Sequence, residues 1–217
     1  MIDSSLILES LPALLKGAAL TMQIACVAAS LGFLLGTGIA LAQQSEVKIV
    51  KGLAGGYVAF FRGTPMLVQI LFVFYVLPEF GLRISPFWSV AIAMGLNSGA
   101  YISQIVRSGI NAVPKGQVEA AYALGLSSFK TLRFVVLPQA FQVALPALGN
   151  EVVTLIKDSS LASIVGVMEL SKEASIIRSR TYDPFSILLA SACIYLILTT
   201  VVSFFVKKLE KKGAVYV

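Results

Sequence analysis

The amino-acid sequence predicts an all-α membrane protein of five transmembrane helices, N-out and C-in. Three observations carry that expectation. Hydrophobic residues make up 57% of the chain and charged residues 13%, whereas a soluble domain is nearer one quarter charged. Apolar runs of the roughly 20 residues needed to cross a hydrocarbon core about 30 Å thick recur along the chain. Basic residues fall unevenly between the segments that join those runs. With no linker, low-complexity tract or internal repeat, residues 1–217 are expected to form a single transmembrane domain.

The first span runs roughly from Gly17 to Ala42 without a charge. Its end resembles a signal-peptidase site, but the apolar run is too long for a signal core, so it is expected to be retained. Gly32 and Gly36 form a small-xxx-small pair, which favours close helix packing in lipid. The second span, roughly Gly55 to Leu77, contains FFRGTPMLVQ, in which Pro65 removes a backbone donor and can kink the helix. The third, roughly Pro86 to Val106, contains GLNSGAYISQ. The fourth, roughly Gln139 to Ile156, carries Glu151, and the fifth, roughly Pro184 to Val206, ends in KKLEKK.

Orientation follows from the cations. With the C-terminus inside, the inner segments hold ten Lys and Arg residues and the outer segments six, leaving aside Arg62 within the second span. This asymmetry accounts for the net charge of +6 as a positive-inside excess, so no nucleic-acid partner is expected. The chain has no histidine, which excludes histidine catalysis, proton relays and histidine metal sites. Cys26 and Cys193 lie in apolar segments and read as packing residues. No phosphate-cradling GxxxxGK[ST] pattern is present, so ATP is not expected to bind to this chain.

Between the third and fourth spans lies EAAYALGLSSFKTLRFVVLP, residues 119–138, on the cytoplasmic side by the cation count. Gln117–Leu124 reads as a short helix with Ala120, Ala121 and Leu124 on one side. Gly125 suits the left-handed residue that ends it, and Ser127 or Ser128 suits the cap of a second helix. Phe129, Leu132 and Val136 give that helix an apolar face, and Pro138 is expected to close the unit and start the next span. The pattern is a helix–turn–helix knob, compatible with a partner's groove or with packing on its own bundle.

This stretch resembles the EAA loop of permease subunits of ABC importers, through Glu119, Ala120, Ala121, Gly125, Val136, Leu137 and Pro138. FRGTPMLVQ at 61–69, LNSGAYISQIVRSGI at 96–110 and LPALGNEVVTLIKDSSL at 145–161 are similar to the polar amino-acid branch of that family. The resemblance implies a type I importer fold in the bacterial inner membrane. It implies that Glu119, Ala120, Ala121, Leu124, Gly125, Phe129 and Leu132 couple this chain to a dimer of separate ATPase subunits, which hold the ATP and Mg. It further implies a second permease copy or related permease, an extracytoplasmic substrate-binding protein, and a polar amino acid as cargo. Members often carry an acid where this chain has Gln104, which leaves the partner of Arg107 open.

Charged and polar residues within spans are functional candidates. Glu151 and Asp158 are seven positions apart, nearly two turns, and share a helix face. Together with Asn150, Lys157, Thr64, Asn97 and Ser98 they are candidates for a polar wall along a translocation path, where Glu151 would meet a substrate ammonium. The alternative for Glu151 is a structural pair with Arg62 or Lys157. Asn97 and Ser98 equally suit helix-to-helix hydrogen bonding, and Arg62 suits snorkelling to the cytoplasmic interface. The segment from Asp158 to Asp183 places Val167, Leu170, Ala174 and Ile177 at helical spacing. It reads as an outer-gate helix that receives a binding protein, or as an amphipathic helix lying on the membrane. Two other functions remain compatible with the residues alone: an autonomous transporter or channel driven by an ion gradient, and a membrane scaffold.

Overall fold

The computed structural model describes residues 2–213, and among them the secondary structure is entirely helical. Helices are α1 (Ser4–Gln43), α2 (Lys48–Gly63), α3 (Met66–Leu71), α4 (Pro86–Asn111), α5 (Lys115–Ala123), α6 (Ser128–Thr131), α7 (Leu137–Asp158), α8 (Leu170–Thr181) and α9 (Pro184–Gly213). Each of the five predicted spans contains helix. Length and apolarity alone qualify three as membrane-crossing, at Ser4–Gln43, Ser128–Val165 and Pro184–Lys211, and a fourth if α2 and the segment after it count as one broken span. α4 is long enough at 26 residues, but glycines and polar side chains dilute its hydropathy.

α1 begins thirteen residues before the expected span, at Ser4. Asp3 starts it, its Oδ1 accepting from the backbone N–H of Ser5 and Leu6 at 3.0 Å, as N-cap aspartates do. The expected seam is present. A methyl group at Gly32 would sit 2.9 Å from Ser98 Cβ, and one at Gly36 2.8 Å from the Gly99 carbonyl oxygen. α4 returns the pattern, since Gly95 and Gly99 face Leu31 and Leu35 of α1. Without a hydrophobic drive between helices in lipid, this backbone approach supplies the dispersion contact that holds α1 to α4.

The rest of the bundle is built on α1. Ile24 and Ala28 pack with Ile70, Val90, Met94 and Leu155 in one core, while Leu14 and Ala18 pack with Leu170, Ala174 and Ile187 in another. Leu170 and Ala174 are therefore buried against α1 and α9, and α8 is a packed part of the bundle, not a helix floating on the membrane. α7 meets α9 where Gly149 contacts Val206.

Two prolines deform the helical ladder in the same way. The turns Phe72–Val76 and Leu132–Val136 are π-helical, and each is followed by Leu-Pro (Leu77-Pro78 and Leu137-Pro138). A proline lacks the donor for the carbonyl four residues back and clashes with it. The wide turn removes that clash by bonding Leu77 N–H to Phe72 O, and Leu137 N–H to Leu132 O, five residues back. As a result Pro138 stands in the first turn of α7, as expected of the start of a span, but it does not close the helix–turn–helix unit. The helix passes through it, and residues 128–165 form one segment of 38 residues.

Candidate functional site

The site is organised around the break in the second span. After Gly63 the backbone becomes extended at Thr64 and Pro65, and the chain turns by 105° before continuing. Pro65 cannot donate to the α2 ladder, so the carbonyls at the end of α2 need other donors. Gln69 Nε2 donates to the Phe61 and Thr64 carbonyls at 3.0 and 3.1 Å and to Thr64 Oγ1 at 2.7 Å. Asn97 Nδ2, from α4, donates to the Phe61 carbonyl at 3.0 Å and to Gln69 Oε1 at 2.9 Å. Thr64 Oγ1 donates to the Phe60 carbonyl at 2.9 Å. These bonds fix a non-helical stretch at the centre of the bundle, which is tolerated in membranes only where protein or a water-filled cavity surrounds it.

Against this break lies a cleft of about 470 Å³ lined by Thr64, Pro65, Asn97, Asn150, Glu151 and Asp158, with Tyr101 and Thr154 beside them. Five of the seven predicted pathway residues thus meet in one place. The other two do not line it. Ser98 is fully buried behind the cleft, where its Oγ donates to Glu151 Oε1 at 2.8 Å. Lys157 points to the exposed surface of α7. Glu151 therefore takes its bond from a neutral hydroxyl, and Arg62 stacks on the Tyr101 ring at 5.2 Å. Arg62 lies near the break with its side chain exposed. The two carboxylates share the cleft, as their spacing of seven residues implied.

The predicted coupling residues form the knob expected of them. Gly125 has φ +77°, and Leu126 N–H and Gly125 N–H bond the Ala121 and Tyr122 carbonyls at 3.1 and 2.9 Å, the paired bonds of a Schellman ending. Ser127 occupies the capping position of the second helix but makes no side-chain cap bond. Leu124 is 83% exposed and Phe129 68%; Leu132 is more shielded, and Glu119 and Ala120 face outward. Ala121 does not join that surface, being buried beneath it. Tyr122, which the spacing did not single out, is exposed beside Leu124.

Two further groups of residues escaped the sequence reading. Gln104, whose counterpart acid is missing, donates to Gln43 Oε1 at 2.9 Å, a neutral α1–α4 bridge. Glu169 is fully buried and caps α8. It accepts from Ser171 and Lys172 N–H at 2.9 and 2.8 Å, from Tyr195 Oη at 2.9 Å and from Thr21 Oγ1 at 3.4 Å, clasping α1, α8 and α9 together. Burial pushes its carboxyl above the usual range, and the hydrogen bonds pull it back. At the exposed start of α9, Asp183 is held below its usual range by the Ser186 hydroxyl and N–H.

This arrangement, a bundle with a broken helix at its centre, a polar cleft and an exposed helical knob, agrees with the comparisons to known proteins. Residues 10–214 match the family described as the binding-protein-dependent transport system inner membrane component. The chain belongs to that family. The permease is 37% identical over 212 residues to the arginine transport system permease protein ArtQ of Bacillus subtilis, covering 97% of each chain. It is 42% identical over 211 residues to the nopaline transport system permease protein NocM of Agrobacterium fabrum, covering 93% of this chain and 88% of the other. A crystal structure of an amino acid ABC transporter with histidines superposes with a TM-score of 0.91 at 36% identity, covering 98% of the permease and 99% of that chain. The permease is thus an inner-membrane transport subunit of the type I ABC fold, as its EAA loop implied.

Proposed function

We propose that the permease carries a polar amino acid inward through the cleft between the Thr64–Pro65 break and α7, driven by ATP hydrolysed on separate ATPase subunits docked at residues 117–136. The observation that carries this reading is the convergence of Thr64, Asn97, Asn150, Glu151 and Asp158 on one cleft. Polar side chains cluster within a membrane bundle where a polar cargo passes. Glu151 and Asp158 would meet the ammonium of the cargo, Asn150 and Thr64 would supply neutral hydrogen bonds, and Asn97 would hold the break that shapes one wall. Relatives named for arginine and nopaline transport support an amino acid or close derivative as cargo.

In this reading the chain crosses the membrane five times, N-out and C-in, with α2, the break and α3 making one broken crossing. A second permease copy completes the pathway, an extracytoplasmic binding protein delivers the cargo, and ATP and Mg bind only to the ATPase dimer. Exposed Tyr122, Leu124 and Phe129 suit a groove on that partner, since apolar knobs of this kind mark protein contact sites.

Reconstitution with and without the ATPase tests the proposal. Uptake should require ATP and the ATPase, and Glu151→Gln should lower it with assembly unchanged. Accumulation under an imposed ion gradient, with no ATPase present, would identify an autonomous transporter instead. Unchanged flux in both Glu151→Gln and Asn97→Ala would point to a scaffold.

A further inference from the structure

Arg62 presents a problem that the proposed pathway does not absorb. It lies fourteen residues along α2 from Lys48, about 21 Å at 1.5 Å per residue, one residue after the carbonyl that Asn97 caps from the middle of α4. Its side chain is exposed on the described surface, over the Tyr101 ring. A guanidinium there is costly unless it faces an anion or a water-filled cavity. Its close partner is the Tyr101 ring at 5.2 Å, and an aromatic face replaces only part of what water or a carboxylate gives a cation.

The surroundings show where an anion would enter. Arg62 lines a second cleft of about 260 Å³ with Tyr101, Gln104, Ser108, Val143 and Ala147, and it is the one charged residue there among the described residues. Gln104 adds no compensating charge, since it is neutral and its amide is engaged by Gln43. Tyr101 lines both this cleft and the acidic one. Tyr101 thus joins a cleft that holds two carboxylates to one that holds a guanidinium. That charge pattern suits an amino acid with a cationic side chain, whose cation and α-carboxylate lie far enough apart to reach both clefts.

We infer that Arg62 binds the α-carboxylate of the transported amino acid, in a subsite beside Tyr101 that selects for a free carboxylate. This rests on the reading of the acidic cleft as the cargo path. Arginine's planar fork fits a carboxylate with two parallel N–H···O bonds, which lysine cannot reproduce.

The test uses the purified permease–ATPase complex without the binding protein, so that upstream selection does not intervene. L-arginine and L-histidine are titrated calorimetrically beside agmatine and histamine, which lack only the carboxylate. The wild-type complex should bind an amino acid at least about tenfold more tightly than its amine, as a charge-assisted bond implies. Arg62→Gln should bring the two within about twofold of each other while leaving the amine's affinity unchanged, and Arg62→Lys should fall between. An unaltered preference in Arg62→Gln would overturn the assignment. So would parallel loss of amino acid and amine, or a lowered melting temperature of the permease pair with preference intact, either of which gives Arg62 a structural role. Binding of none of the four compounds by the wild type would overturn the cargo path itself, and the subsite with it.

Discussion

Asn97→Ala removes the α4 side chain that closes the break in the second span. Its amide donates to the Phe61 carbonyl and to Gln69 Oε1, at 3.0 and 2.9 Å, with Asn97 itself only 5% exposed. Interhelical hydrogen bonds in membrane proteins average about 0.6 kcal/mol and reach about 1.7, so losing two should cost about 1–3 kcal/mol. The Phe61 carbonyl keeps its bond from Gln69 Nε2, which holds the figure at the lower end, whereas Gln69 Oε1 is stranded, which raises it. A double-mutant cycle separates the two effects: Asn97→Ala and Gln69→Ala should couple by about 0.6–1.7 kcal/mol. Reversible unfolding in mixed micelles, followed by helical circular dichroism, measures each corner. Additivity of the two substitutions within about 0.3 kcal/mol would refute the claim that the side chains act as one clamp on the break.

Three other outcomes follow from the packing. Gly36→Val drives a side chain into the Gly99 carbonyl and Ile102 and should destabilise the bundle by about 1–3 kcal/mol, while Gly38→Val, two residues away with open space around it, should be near neutral in the same unfolding assay. Gly125→Val forces a β-branched residue to φ +77°; the permease should still insert and assemble, but ATP-driven uptake in proteoliposomes should fall to background, and normal uptake would remove Gly125 from the coupling role. Glu169→Ala strands two backbone donors and two hydroxyls between α1, α8 and α9 and should cost about 2–4 kcal/mol, with Glu169→Gln, which keeps an acceptor oxygen, losing clearly less in a thermal melt.

The parts of the molecule that were legible in the sequence are those set by small residues and breakers at fixed spacing. Gly32 and Gly36 announced the α1–α4 seam because only a residue without a side chain permits that approach. Gly125 announced its turn because few residues accept a left-handed backbone. The shared face of Glu151 and Asp158 followed from helical geometry alone. What could not be read depended on contacts distant in sequence. Gln69 looked like one more polar residue until the 105° turn carried it back to the Phe61 and Thr64 carbonyls. Glu169 looked like a solvated loop acid, and its burial arises only because Thr21 and Tyr195 converge on it from 148 and 26 residues away. Pro138 misled for a local reason: the π-turn that accommodates it has no sequence mark apart from the proline itself.

That accommodation bears on the proposed coupling. Because residues 128–165 run through Pro138 as one segment, in the proposed coupling they would act as a lever about 57 Å long at 1.5 Å per residue, with the knob at one end and the cleft carboxylates towards the other. A tilt of about 5° about the knob would displace the far end by about 5 Å, close to one helical turn. The π-turn at Leu132–Val136 lies at the handle of this proposed lever, where its spare residue would give the shaft a place to flex before load reached the seam with α9.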